Sequence, residues 1–515
     1  MYLVHFDALS WIISSYWVSI LLVATLLLIS FYLYKTWAKL RRIPGPFLAR
    51  FTDFPRFLWV RSGKAHEIHI DLHAKYGKLV RLGPNMVSVG DPSEISNIYR
   101  MHTPLLKSNF YHVILPMSKG KVMPGLFATQ DEALHRTLKK PIASIYSMTN
   151  LVSFEPFVDT TMSVFFEQLD KRFVKTGAVC DWHLWLQYFA FDVVGELTFS
   201  RRLGFLERAE DVDGIMKGVW KWFQYTAPVG QMPWLDKLWA KNSFISRLRP
   251  ARWSPMVEFA IKRQVERLSG VGKDDGLNQR DFLSRFIAAM EKDPSIPKWA
   301  LPAWTGSNIL AGSDTTAIFL RTLFHNLLTH PSTLARLRDE LDAAASSGHL
   351  SIPTTWKESL GLPYLDACVK EAGRIHPPFG LPLERIVPAG GMTVCGEYLA
   401  PGTIVGMNAW VTHRDQETFG KDADVWRPER WLVEGETRKK MESGLLTFGG
   451  GHRTCLGKNI SYLEIYKVVP TILQVYDIEL MKNSQVLKVE NRFFVPQRGF
   501  QVRLKKRVFE KHSTN

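Results

Sequence analysis

The pattern of apolar and polar positions divides this chain into unequal parts. Residues 11–34 run for twenty-four positions without a charge, with aromatic residues at one end (Trp11, Tyr16, Trp17) and around the other (Tyr32, Tyr34, Trp37). At about 1.5 Å per residue such a helix spans a hydrocarbon core of about 30 Å, and the aromatics suit the two interfaces. Lys35, Lys39, Arg41 and Arg42 follow it, and Asp7 precedes it. Basic residues on the C-terminal flank predict that the remaining chain faces the cytosol. The run is too long for a cleaved leader, whose basic residues would come first.

Ile43-Pro44-Gly45-Pro46 comes next. Proline lacks the N–H and fixes φ, so helix stops here and a stiff hinge is expected. Residues 78–83 and 86–90 alternate as short strands about Gly83-Pro84-Asn85. From about 132 to 331 apolar residues recur at helical spacing. Short strands are expected again at 391–394, 403–406 and 491–504. The predicted architecture is mainly α with small β-sheets. Residues 1–42 form an anchor with a basic stop, and 43–515 form the hinge and one large domain.

Composition adds three constraints. At 515 residues the length alone suggests several domains, but no linker, repeat or low-complexity tract divides the chain. Cys180, Cys368, Cys395 and Cys455 show no C-x-x-C spacing, which gives no zinc or disulfide framework and fits a reducing compartment. A net charge of +16 calls for anionic lipid headgroups or an acidic protein partner. No basic-aromatic module or zinc knuckle accompanies it, so nucleic acid is not an expected partner.

The most informative chemistry is a lone thiol. Cys455 sits in Phe448-Gly449-Gly450-Gly451-His452-Arg453-Thr454-Cys455-Leu456-Gly457, ahead of a helix expected over 456–468. The glycines allow close backbone approach to a flat ligand and positive φ. Amide N–H groups and the positive end of a helix favour a thiolate. Two readings stand: a buried cysteine in a glycine-rich turn, or an axial ligand to haem iron. A second motif, Ala311-Gly312-Ser313-Asp314-Thr315-Thr316, interrupts a helix expected over 298–329. Glycine inside a helix costs about 1 kcal/mol relative to alanine, so a notch for a small ligand is expected. The alternative is a Ser/Thr-rich segment with a solvated aspartate. Glu371 and Arg374 lie three apart on one helix face, either as an exposed pair or as a buried network with Arg430.

The cysteine loop resembles the haem-thiolate loop of the cytochrome P-450 superfamily, Phe-x-x-Gly-x-Arg-x-Cys-x-Gly, at every defined position. The other two motifs are similar to that superfamily's oxygen-activation signature and to its Glu-x-x-Arg plus Pro-Glu-Arg triad, a scaffold element. The resemblance runs from the hinge to the C-terminus and implies haem b with Cys455 as axial ligand. It implies that Thr315 and Asp314 serve oxygen activation and proton relay. For the haem carboxylates it implies Arg453, Arg385 and His135, with Phe448 and Gly449 against the cofactor. Where the family often carries tryptophan four residues before His135, this chain has Asp131.

The chain is most similar to microsomal, pisatin-demethylase-like fungal members, through 135–141, 390–396 and 408–415. No G-x-G-x-x-G follows a strand, so electrons are expected from a separate protein; the resemblance implies an NADPH-dependent flavoprotein reductase at the endoplasmic-reticulum membrane, with Lys139, Lys140 and Lys458 as contacts. The substrate is expected to be a lipophilic small molecule, read by residues 107–130 and 214–238, in terpenoid or polyketide metabolism. Alternatives are O-demethylation of a phenolic ether, a haem-thiolate isomerase or dehydratase, and a non-catalytic haem sensor.

Overall fold

Leu3–Lys39 is a single unbroken helix, longer at both ends than the apolar run required. The computed structural model describes residues 3–118, 121–242, 244–245, 255–269 and 281–508; the side chain of Trp11 lies outside the described residues. Tyr16–Lys39 has a mean hydropathy of 2.2, and 0% of it is buried against the rest of the chain. A helix that apolar and that bare is a candidate membrane span.

Its C-terminal end is caught by the globular part. Arg81 Nη1 donates to the Trp37 carbonyl (3.2 Å), and Nη2 donates to those of Thr36 (2.7 Å), Arg50 (3.0 Å) and Pro84 (2.9 Å). Helix ends leave carbonyls without intrahelical partners, and one buried guanidinium answers two of them here. The Arg81 N–H also donates to Pro44 O at 2.7 Å. The proline hinge is therefore bracketed by a strand.

That strand, Leu79–Gly83, begins a four-stranded sheet with Met86–Val89, Ile404–Gly406 and Arg385–Ile386 in that order. Met86–Val89 and Ile404–Gly406 run parallel and the other pairs antiparallel. The sheet sets Arg385 on its edge strand, opposite Val405. A single backbone bridge joins Arg385 to Lys107, which brings two cations from distant sequence side by side.

The rest is mostly helix. Trp182–Phe199 buries nearly all its residues, as a core helix apolar on every side must. It packs along Ala300–Thr329, the long central helix. Close approach needs a small residue at the crossing: a Cβ on Gly312 would stand 2.7 Å from Val194 Cγ2. Lys458–Val475 follows the cysteine loop; it starts later and ends later than the sequence predicted. At the C-terminus the expected single strand over 491–504 is broken. Gln497–Arg498 pairs with Lys488–Val489, while Gln501–Lys506 lies between Tyr476–Leu480 and Cys180–Asp181. Pro496 cannot donate to a ladder; positive φ at Phe493 turns the chain ahead of the first pairing, and at Gly499 between the two.

The Glu371–Arg374–Arg430 network is buried. Glu371 and Arg374 side chains are 0% exposed and Arg430 1%. Glu371 accepts from Arg374 Nε and Nη2 (both 2.8 Å), Arg430 Nε (3.0 Å), Arg427 N (2.9 Å) and Trp431 Nε1 (2.9 Å). The exposed-pair alternative is excluded.

Candidate functional site: a thiol-lined cavity

The cysteine loop is folded by its own backbone. Cys455 N donates to Phe448 O (2.8 Å), and Gly449 N to Leu446 O (2.8 Å). Gly449 and Gly451 take φ of +70° and +63°, a region L-residues rarely enter. A Cβ on Gly451 would also stand 2.0 Å from Tyr99 O, so only glycine fits there. His452 N donates to Arg100 O (3.0 Å) and pins the loop to residues 99–100.

This loop and the central helix wall one cavity, of about 1570 Å³ when the open space at its mouth is included. Cys455 is exposed, and what it is exposed to is this cavity. Burial in the protein pushes its thiol pKa up, while the backbone amides of Gly457 and Lys458 and the Lys458 ammonium pull it down. Phe448, Gly449 and Thr315 share the cavity wall with it. Thr315 Oγ1 donates to Ala311 O one turn back (2.6 Å), leaving its lone pairs to the cavity.

Asp314 is placed differently. It is not part of the cavity wall. Its carboxylate accepts a short hydrogen bond from Gln187 Nε2, and Gln187 Oε1 in turn accepts from Arg321 Nη2 (2.6 Å). Burial raises the Asp314 pKa to about 6 against the pull of Arg321 and Gln187. Gly312 lines the cavity, and its missing Cβ also makes room for Val194 of the neighbouring helix.

The cavity rim also carries cationic side chains. Arg385 lines the cavity over the Tyr99 ring (5.0 Å), with Nη1 donating to Glu384 O (2.9 Å). Arg453 lines it too, held by Glu132 Oε1 through Nη2 (2.6 Å) and Nε (3.0 Å). His135 is 4% exposed; burial, then Arg453, Lys139 and neighbouring cations, push its pKa down to about 3. It faces the cavity as a neutral imidazole.

Sequence reasoning missed Lys107, which lies over the rings of Tyr111 and Phe127 (4.2 Å each) and lines the same rim. Burial, Arg385 and Arg453 drive its pKa well down. Lys139, expected at a partner surface, lines the cavity instead and donates from Nζ to His452 O (2.8 Å).

Buried cations that repel one another around an open space call for an anionic ligand. A thiol, a glycine-rich face and a large apolar chamber share that space. These features fit a haem, with Cys455 toward the iron and Lys107, Arg385, Arg453 and His135 toward its carboxylates. The cytochrome P450 family model matches residues 44–504. This chain belongs to the cytochrome P450 family.

Its relatives are fungal P450 monooxygenases. It is 58% identical over 451 residues to a cytochrome P450 monooxygenase of Aspergillus terreus, covering 87% of this chain and 92% of that protein. To the cytochrome P450 monooxygenase cicH of Emericella nidulans it is 54% identical over 484 residues, 94% and 97% of the two chains. To mpaDE of Penicillium roqueforti it is 48% identical over 498 residues, 96% of this chain but 58% of that one. The family implies a haem-thiolate centre, a redox partner and lipophilic substrates for this P450, and its monooxygenase activity is established at that level.

Proposed function

We propose that this P450 inserts one oxygen atom from O₂ into a lipophilic small molecule, a terpenoid or polyketide intermediate of fungal secondary metabolism. The observation that carries this reading is the shared chamber: Cys455 and Thr315 face one cavity that also has an apolar wall (Leu126, Phe127, Val194, Leu197, Phe379). Bound haem supplies the redox chemistry that splits dioxygen. The chain supplies the rest. Cys455 would hold the iron, Lys107, Arg385, Arg453 and His135 would hold the carboxylates, and Phe448 and Gly449 would lie against the cofactor. The apolar walls bind the substrate by burial and exclude bulk water. Thr315 presents an oxygen that hydrogen-bonds where oxygen is activated. Asp314, with a pKa of about 6, changes protonation near neutral pH and stores a proton one helix position away.

In this reading residues 1–42 are a single-pass anchor in the endoplasmic reticulum, 43–515 are the catalytic unit on the cytosolic side, and an NADPH-dependent flavoprotein reductase delivers the electrons. Exposed Lys140 and Lys458 remain available to it. Metabolite mass spectrometry of the host organism with and without this gene tests the chemistry. Loss of a product, with accumulation of a precursor lighter by one oxygen atom, is expected. A precursor and product with equal oxygen content would move the assignment to demethylation, desaturation or rearrangement.

A further inference from the structure

Glu132, His135 and His452 bring three metal-type ligand atoms within 4.8 Å of one another, a grouping found nowhere else among the described residues. Glu132 has one oxygen committed and one not. Oε1 takes both bonds from Arg453, whereas Oε2 is buried with no hydrogen-bond partner. That free oxygen stands 3.9 Å from His135 Nδ1 and 3.9 Å from His452 Nε2. His135 Nδ1 is buried and unpartnered as well, on a ring 4% exposed. Two buried polar atoms facing each other without a bond are costly and rare. A cation between them satisfies both.

We propose that Glu132, His135 and His452 form a divalent transition-metal site of the zinc class, which clasps the Glu132–Lys139 helix to the cysteine loop. Two imidazoles and one carboxylate suit Zn²⁺, with solvent in the fourth position. Ligand atoms about 2.0–2.2 Å from zinc lie roughly 3.3–3.5 Å apart in a tetrahedron. The present 3.9 Å separations therefore close by about half an ångström. His135 is fixed one turn from Glu132 on a regular helix, and His452 is held at both backbone ends, by Arg100 O and by Lys139 Nζ. Burial, then Lys139, lowers the His452 pKa, and His135 is lowered further. Both are thus neutral, the form that ligates metal.

Arg453, Lys139, Arg136 and Lys107 put positive charge nearby. Arg453 is already met by Oε1 and Lys139 by the His452 carbonyl, so repulsion lowers the affinity without closing the site.

The test uses the full-length, haem-loaded protein, stripped of loosely bound metal and titrated with ZnCl₂ against a chromophoric chelator. Haem on Cys455 keeps that thiol out of the measurement. One zinc per chain is expected, with a nitrogen and oxygen shell and no sulfur by X-ray absorption. His452→Ala should weaken binding by more than about tenfold at unchanged haem content, and Glu132→Gln should weaken zinc binding likewise. Because Glu132→Gln also disturbs Arg453, the half-buried His452 carries the decision if that variant fails to fold. No saturable binding, sulfur in the shell, or binding indifferent to His452→Ala overturns the proposal.

Discussion

Replacing Glu371 removes one acceptor from five donors at once. In Glu371→Ala, Arg374 keeps the carbonyls of His413, Ala423 and Val425, and Arg430 keeps those of Phe419, Asp422 and Val425. Neither keeps its buried counter-charge; Asp422, at 3.2 Å from Arg430 and 34% exposed, is a partial substitute. Trp431 Nε1 and Arg427 N lose their acceptor outright. Breaking a buried ion pair by deleting one partner costs about 3–5 kcal/mol, and each orphaned buried donor adds about 1–3 kcal/mol.

A loss of at least about 4 kcal/mol is expected, a large share of a total stability of about 5–15 kcal/mol. Thermal melting of the haem-loaded full-length chain, followed in the Soret band, should fall by several degrees. Glu371→Gln keeps the shape but offers N–H groups to facing donors, so it should fare almost as badly. Lys439→Ala breaks only the solvated Glu436 pair (73% and 89% exposed) and should cost less than about 1 kcal/mol. If Glu371→Ala melts within about 1 kcal/mol of the parent, the buried network does not stabilise this fold.

Three further outcomes follow from the cavity. Thr315→Ala should bind haem normally yet consume reducing equivalents without product; unchanged coupling of NADPH use to product would remove Thr315 from oxygen activation. The Asp314 pKa rises from 3.8 to about 6 on folding. The folded chain therefore binds the extra proton, and its stabilising effect is complete below pH 3.8 and lost as pH rises through 6. Asp314→Asn should flatten the stability profile in that window by roughly 2–3 kcal/mol; an unaltered profile would place the titration elsewhere. Gly312→Ala should cost about 1–3 kcal/mol through overpacking, and Val194→Ala should restore it. Failure of that rescue would remove the Val194 contact as the reason for a glycine here.

What was legible in the sequence was local. The geometry of the cysteine loop arises within ten residues, so glycines at fixed offsets from Cys455 announced it. Hydrophobic run length announced the first helix, and alternation announced the early strands. What stayed hidden depends on meetings across the chain. Lys107 reads as a solvated lysine until a strand edge brings it to Arg385. Glu132 and Arg453 pair across 321 positions. Asp314 and Thr315 are neighbours in sequence, but consecutive helix residues point about 100° apart, so one meets Gln187 and the other the cavity. The turn at Phe493 was lost because a short apolar run, Phe493-Phe494-Val495, reads as strand and conceals a positive φ.

The bracket at Arg81 makes the first helix and the catalytic body one lever. A hydrophobic helix longer than the surrounding hydrocarbon tilts to hide its excess. With two of the helix's last carbonyls, Thr36 and Trp37, tied to the same guanidinium as the body's own backbone, such a tilt would pass to the body. With this candidate span in a membrane, bilayer thickness would then set the height and angle at which the chamber meets the lipid. Moving this P450 between thin and thick membranes would re-aim its entrance without altering a residue inside it.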